Sequence, residues 1–248
     1  MSLPTIETLE RAAARAWPAL CTEDVDGWQW RGSGGGARRA NSVLPIGYHG
    51  QDLDAAIERV EKLYRAQNTR SYFQVSSASS PDNLDQRLAE RGYVLEEPCL
   101  LMAKPLIATP MPAGVSISTE PSDAWLSIYT EPLDASRRAI APATLAAAPD
   151  PKAFILVSRD GEPLASALGV YEPATGIVLV ECVATRSDQR RSGGAQLVMD
   201  ALESWGAAQS AKTAALQVTT KNTAARALYE KRRYTVVGHY HYRWRDVN

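Results

Sequence analysis

Two stretches of this chain read as copies of one another. SYFQVSSASSPDNLDQRLAERGY, residues 71–93, is answered by AALQVTTKNTAARALYEKRRY, residues 214–234. Phe73-Gln74-Val75 returns 143 positions later as Leu216-Gln217-Val218, and Arg91-Gly92-Tyr93 returns 141 positions later as Arg232-Arg233-Tyr234. The two-position drift amounts to one small loop insertion. Upstream, the apolar stripe Leu53, Ile57, Val60, Tyr64 falls opposite Leu197, Val198, Ala201, Leu202, Trp205, with Tyr64 and Trp205 again 141 apart. Both stripes have helical period. Self-similarity at a fixed offset implies related structural units, here residues 1–105 and 106–248.

Each unit reads strand, helix, strand, helix, strand. WQWRG, NSVLPI, SYFQV and CLLMA supply strands in the first. AFILVS, LASALGVY, IVLVECVAT, AALQVT and TVVGHYHYRW supply them in the second. A third helix is expected between Pro81 and Arg91 on Leu84 and Leu88, and a fourth after Asn222, a good helix cap. This alternation predicts an α/β (α+β) protein of two mixed-sheet domains, each a twisted sheet flanked by helices. AKPLIATPMPAG, residues 103–114, carries three prolines and reads as the linker. IAPATLAAAPDP reads as a loop or a short helix.

The formal net charge of −1 gives no global pull toward nucleic acid or anionic lipid. No apolar run reaches the roughly 18 residues of a membrane span. MSLPTIETLERAAARAW reads as an amphipathic helix without the regions of a signal peptide. Three widely spaced cysteines, Cys21, Cys99 and Cys182, and three histidines, His49, His239 and His241, argue against a disulfide framework or a zinc site. A cytoplasmic protein working without metal is expected.

Two glycine–arginine stretches invite comparison. SDQRRSGGA, residues 187–195, lies between the strand IVLVECVAT and the helix AQLVMDALESWGAA. A glycine loop entering a helix presents free N–H groups and the positive end of the helix dipole, which suits a pyrophosphate. GSGGGARR, residues 32–39, lies between two strand-like segments and reads as a hairpin turn.

Arg190-Arg191-Ser192-Gly193-Gly194-Ala195 resembles the (Q/R)-x-x-G-x-(G/A) signature of the GNAT superfamily of acyl-CoA-dependent N-acyltransferases. Asn222, Ala225 and Leu228-Tyr229 resemble that family's N-x-x-A-x-x-L-Y element, followed here by Arg233-Tyr234. The resemblance covers about residues 112–248. The first half resembles the same fold more weakly. Its phosphate-loop equivalent, GYHGQD at residues 47–52, has no arginine and places Asp52 where the anion would sit. PDNLDQRLAERGY has Arg87-Leu88 in place of Leu-Tyr. The first domain is therefore expected to be a degenerate copy.

The resemblance implies acetyl-CoA as co-substrate. Backbone groups around Val183, Ala184 and Thr185 would pair with its pantetheine arm. Arg190, Arg191, Ser192, Gly193, Gly194, Ala195 and Gln196 would hold the pyrophosphate, and Asn222 would contact the arm. Tyr229 is the candidate general acid for the leaving thiolate, the alternative being simple packing. Glu181 is the candidate base, directly or through water, the alternative being a carboxylate that only binds the substrate ammonium. If Leu179 faces the core, alternation buries Glu181 as well. Cys182 reads as a small buried strand residue, His239 and His241 as cleft-lining or packing residues with no carboxylate close by, and WQW as core.

The expected activity is transfer of the acetyl group to an amine, from a small molecule or a peptide. The alternative is a non-catalytic acyl-CoA sensor or interaction module. Two domains in one chain mimic a dimer, so a monomer is expected, with a dimer open. The acceptor is not legible. Its cleft walls are expected from residues 129–150, which carry no motif.

Overall fold

The computed structural model of the chain describes residues 3–247, apart from the Glu97 side chain. Met1 and Ser2, the start of the expected amphipathic segment, lie outside the described residues, as does Asn248. The first half runs α1 (Ile6–Ala16), β1 (Cys21–Val25), β2 (Trp28–Gly32), α2 (Leu53–Ala66), β3 (Ser71–Ser76), α3 (Leu84–Glu90) and β4 (Val94–Pro105). The second runs β5 (Val115–Ser118), α4 (Asp123–Thr130), α5 (Ala135–Ala147), β6 (Lys152–Arg159), β7 (Glu162–Glu172), β8 (Ile177–Thr185), α6 (Gly194–Ala208), β9 (Thr213–Thr219), α7 (Thr223–Lys231) and β10 (Thr235–Arg245).

Eight strands form one mixed sheet in the order β3-β10-β4-β9-β8-β7-β6-β5, with the helices packed on it. Among the described strands of the sheet, β8 and β9 are the one parallel pair. The hairpin β1–β2 reaches β3 through two bridges, Gln29 with Leu44 and Val43 with Phe73. The repeat is visible in this order. β2, residues 43–44, α2, β3, α3 and β4 recur as β7, β8, α6, β9, α7 and β10. Each series has one antiparallel step and then one parallel step. The last strands are exchanged: β10 lies between β3 and β4, and β4 lies between β9 and β10.

Alternation along the strands divides the core into two layers. Phe154, Leu168, Val170 and Leu179 face α1, through Leu9, Ala12, Ala13 and Ala16, and Trp125 of α4. Ile155, Ala165, Val178 and Leu216 face Val198, Ala201 and Leu202 of α6 and Tyr229 of α7. Trp28 and Trp30 pack with Ile57, Val60, Tyr64 and Phe73, as the WQW segment suggested.

One open alternative resolves to helix, and two segments differ from expectation. IAPATLAAAPDP belongs largely to α5, a helix started by Asp134, whose carboxylate accepts from the Arg137 N–H at 2.8 Å. Its alanines favour helix strongly enough to carry Pro142 inside it. NSVLPI pairs only at residues 43–44, because Pro45 has no N–H to donate. The proline-rich stretch begins as strand: β4 continues through Pro105, and only the remainder joins β4 to β5.

His241 does have a carboxylate neighbour, supplied by another element. Its Nε2 lies 2.8 Å from Asp85 Oδ1 of α3, and Arg243 grips both oxygens of Asp85 at 2.8 and 3.0 Å. Arg243, and after it His241, hold the Asp85 carboxyl down to about 2. A depressed carboxylate adds stability above its ordinary value near 3.8, and that contribution is lost as pH falls toward 2. Urea unfolding of the wild type and of Asp85→Asn checks this. The wild type should be the more stable near pH 5, and the gap should close on acidification.

Candidate functional site

β8 and β9 pair at Ile177–Thr213, Val178–Ala214 and Leu179–Ala215 and then part. Beyond that point residues 180–185 and Gln217–Thr219 face one another across a groove of about 880 Å³. A bulge helps to turn β8 away. Leu168 faces Glu181 and Ser166 faces Ala184, so Cys182 and Val183 share Ala167 as their opposite number. Such an insertion bends a strand and raises its twist. Cys182 takes a φ of +54°, and the Ala167 carbonyl accepts instead from Trp125 Nε1 at 3.0 Å. Cys182 is thus a bulge residue, not the plain strand residue expected.

The N-terminus of α6 closes one end of the groove. Gly193 occupies the cap position with φ +90°, and no side chain caps the helix. Of the first-turn N–H groups, that of Gln196 donates to the Gly193 carbonyl at 3.0 Å, which leaves those of Gly194 and Ala195 for a ligand. A Cβ at Gly194 would stand 2.7 Å from Leu164 Cγ, so glycine there lets α6 sit close on β7. Arg190, Arg191, Gly193, Gly194, Ala195 and Gln196 all line the groove, as do Val183, Ala184, Thr185 and Asn222. Asn222 also caps α7, accepting from the Ala225 N–H at 3.1 Å. Ser192 is the exception among the expected residues and does not line the groove. Its hydroxyl donates to the Gln189 carbonyl at 2.6 Å and its own carbonyl accepts from Arg159 at 3.1 Å, so it shapes the loop.

Leu179 lies in the core, and Glu181, two residues on, is only 4% exposed. A buried carboxylate requires a partner. Glu181 finds it in Arg39, 142 residues away: Nη1 donates to Oε1 at 2.8 Å and Nη2 donates to Oε2. Nη1 also reaches Gln217 Oε1 at 3.3 Å, and the guanidinium lies 5.3 Å over the Trp17 ring. Burial works against the charged guanidinium, but the Glu181 carboxylate outweighs it and raises the Arg39 pKa.

Arg39 belongs to GSGGGARR, which is more than the turn its context suggested. Gly34, Gly35 and Gly36 all have positive φ, and residues 38–40 then form a 3₁₀ turn. Asn41 ties the loop together through the carbonyls of Gly35 at 2.6 Å and Ala37 at 2.9 Å. Sequence reasoning passed over Arg39. Its one signal was a pair of arginines after a glycine run, and local context could not aim them.

Tyr229, 7% exposed, lines the same groove, and burial followed by the nearby Glu181 charge pushes its hydroxyl up to about 12. Burial also pushes the Cys182 thiol up, with Glu181 adding to it, and burial raises the nearby Tyr129 hydroxyl of α4 as well. Both phenols and the thiol are protonated at neutral pH, so Cys182 is no nucleophile there.

A second cavity of about 790 Å³ adjoins the groove and shares Arg39, Gln217, Val218 and Thr219 with it. Its walls include Arg137 and Ile140 of α5, Trp17, and Tyr240 and Trp244 of β10. Residues 129–150 do contribute, chiefly as a helix. Among the described residues no group of three or more His, Cys, Asp or Glu is placed to hold a metal ion. No described helix is long and apolar enough to cross a membrane.

The first half lacks these features. Val43 stands opposite Phe73, the counterpart of Leu216, so by register Leu44 falls where Glu181 stands in the second half. The Asp52 carboxylate caps α2, accepting from the Ala55 N–H at 3.0 Å, where α6 is open. Gln74, the counterpart of Gln217, is taken up in a buried cluster with Arg31 at 2.9 Å and Glu10 at 3.0 Å.

A family profile described as "Probable histone acetyltransferase Rv0428c C-terminal" matches residues 4–245. The chain is 29% identical over 252 aligned positions to the "Uncharacterized N-acetyltransferase YobR" of Bacillus subtilis, covering 96% of this chain and 98% of that one. A GCN5-related N-acetyltransferase from Kribbella flavida superposes with a TM-score of 0.71 at 18% identity, over 98% of this chain and 96% of the other. A tandem GNAT protein from the clavulanic acid biosynthesis pathway gives 0.60 at 12% identity, over 79% and 70%. At these identities the structural matches speak to the fold.

Proposed function

Because this chain belongs to the Rv0428c C-terminal acetyltransferase family and to the GNAT superfamily, we propose that it moves the acetyl group of acetyl-CoA directly to an amine. The observation that carries this reading is the uncapped N-terminus of α6 at the end of the parted strands β8 and β9. Free N–H groups, the helix dipole and two arginines make that end a fit for a pyrophosphate. The groove leading from it, between backbone segments 183–185 and 217–219, suits an extended thioester arm.

The amine would enter from the second cavity, which meets the groove at Arg39 and Gln217. Its nitrogen must be neutral to attack the thioester carbonyl carbon, and Glu181 is the group to receive the displaced proton, directly or through water. Each Glu181 oxygen holds one guanidinium N–H and keeps capacity for a further hydrogen bond. As the carbon–sulfur bond breaks, Tyr229 supplies the proton to the leaving thiolate. A hydroxyl with a pKa of about 12 is fully protonated at neutral pH and so available as an acid. Residues 1–105 are then a degenerate copy whose helix cap and apolar Leu44 leave no donor site, and residues 106–248 carry the chemistry.

Calorimetric titration of acetyl-CoA tests the reading, followed by thiol release over a panel of amines and peptides. The expected result is one equivalent bound and amine-dependent thiol release. A protein that binds no acetyl-CoA refutes it, and one that binds without ever releasing thiol is a sensor.

A further inference from the structure

We propose that Arg39 is a positioning residue for the acetyl transfer, fixing the Glu181 carboxylate where the donor groove meets the second cavity, so that the first half of the chain completes a site built on the second. This rests on the function proposed above. Three observations support it. Arg39 lines both cavities, and with Gln217, Val218 and Thr219 it forms their whole shared border. It engages both oxygens of Glu181 and the side-chain oxygen of Gln217 at once. A fork of this kind fixes orientation as well as charge, which a single ammonium cannot do. Finally, its own loop is tied down: Ser33 donates its N–H to Asn41 Oδ1 at 2.8 Å and its hydroxyl to the Ala40 carbonyl at 3.0 Å. The next cation along, Arg38, holds Glu96 of β4 at 2.7 Å in the second cavity, so the turn is anchored on both sides of Arg39.

The role is distinct from filling space. Glu181 is 4% exposed, and without a cation its ionised form would sit in a desolvated site. Burial favours the neutral carboxyl. The other titratable groups that face Glu181 and Arg39 are Tyr229 of α7, Tyr129 of α4, Cys182 beside it, and Tyr240 and Tyr242 of β10. All are held protonated to well above neutral pH, so none of them gains or loses a proton in the acid range.

The experiment uses the full chain labelled with ¹³C at glutamate carboxyls, with the Glu181 signal assigned by its loss in Glu181→Gln. In Arg39→Ala the Glu181 carboxyl is expected to titrate at least about one pH unit higher than in the wild type, and in Arg39→Lys in between. With an amine from the thiol-release panel, the acid limb of kcat/KM should move in the same direction. Arg39→Ala should lower kcat/KM on the order of 100-fold, the scale of losing a catalytic group's alignment. Adding Glu181→Gln to Arg39→Ala should cost little more than either change alone, because one acts through the other. An unmoved Glu181 titration, or losses that simply multiply, overturns the positioning role while leaving the acetyltransferase reading intact. A wild type that binds no acetyl-CoA overturns both. Arg39→Lys keeps the test open should Arg39→Ala fail to fold.

Discussion

Gly193→Asp is expected to weaken acetyl-CoA binding by 100-fold or more, about 2.7 kcal/mol. The two halves differ at this position. In the first, Asp52 sits at the helix cap and its carboxylate takes the Ala55 N–H. In the second, Gly193 leaves the equivalent end of α6 uncapped. An aspartate there would satisfy the N–H groups that a pyrophosphate needs and would place negative charge against it. It would copy into residues 106–248 the helix cap that Asp52 provides in residues 1–105. Backbone strain has to be separated from this effect, since Gly193 has φ +90°. Gly92→Asp provides the comparison: Gly92 has φ +82°, open space around its Cβ direction, and a place between α3 and β4 in the wall of neither cavity. Its stability should fall by about 1 kcal/mol, as in the Gly193 variant, while acetyl-CoA still binds as in the wild type. Tight calorimetric binding by Gly193→Asp would remove α6 from the donor site.

Tyr229→Phe is expected to lower kcat by roughly 100- to 1,000-fold, the range for losing a positioned acid. The ring and its packing against Tyr234, 5.9 Å between centroids, are kept, and only the hydroxyl is removed. Donor affinity should therefore change little, which separates an acid from a residue that merely packs beneath the thioester arm. The pH profile gives a second reading. Burial and the Glu181 charge hold the hydroxyl near 12, so the acid form persists across the working range. The alkaline limb of kcat should not fall until pH is well above neutral, where the phenol begins to lose its proton. Single-turnover thiol release by wild type and Tyr229→Phe measures both. A variant that keeps the wild-type rate reduces Tyr229 to packing.

Much of the molecule was legible before any coordinates. The repeat predicted which elements correspond, and register bears the pairing out: Phe73 stands to Val43 as β9 stands to β8. Strand alternation from Leu179 predicted that Glu181 would be buried, and it is. A glycine loop between a strand and a helix predicted an open helix N-terminus, and Gly193 provides it. These are local inferences, resting on period, side-chain size and backbone freedom within a few residues.

Other features depended on distance along the chain. Nothing near His241 announced Asp85, because α3 and β10 meet only when the two halves exchange their last strands. Arg39 looked like part of a turn because its neighbours are turn-formers. What assigns it is Glu181, buried more than half the chain away and in need of a cation. The sequence by itself determined most of the elements, the repeat and a glycine loop at a helix start, though not β1, β5 or α4, since propensity and periodicity act between near neighbours. Only the tertiary structure decided which half lends its arginine to which carboxylate. The burial that makes such a pair necessary arises when distant segments close over one another and exclude water.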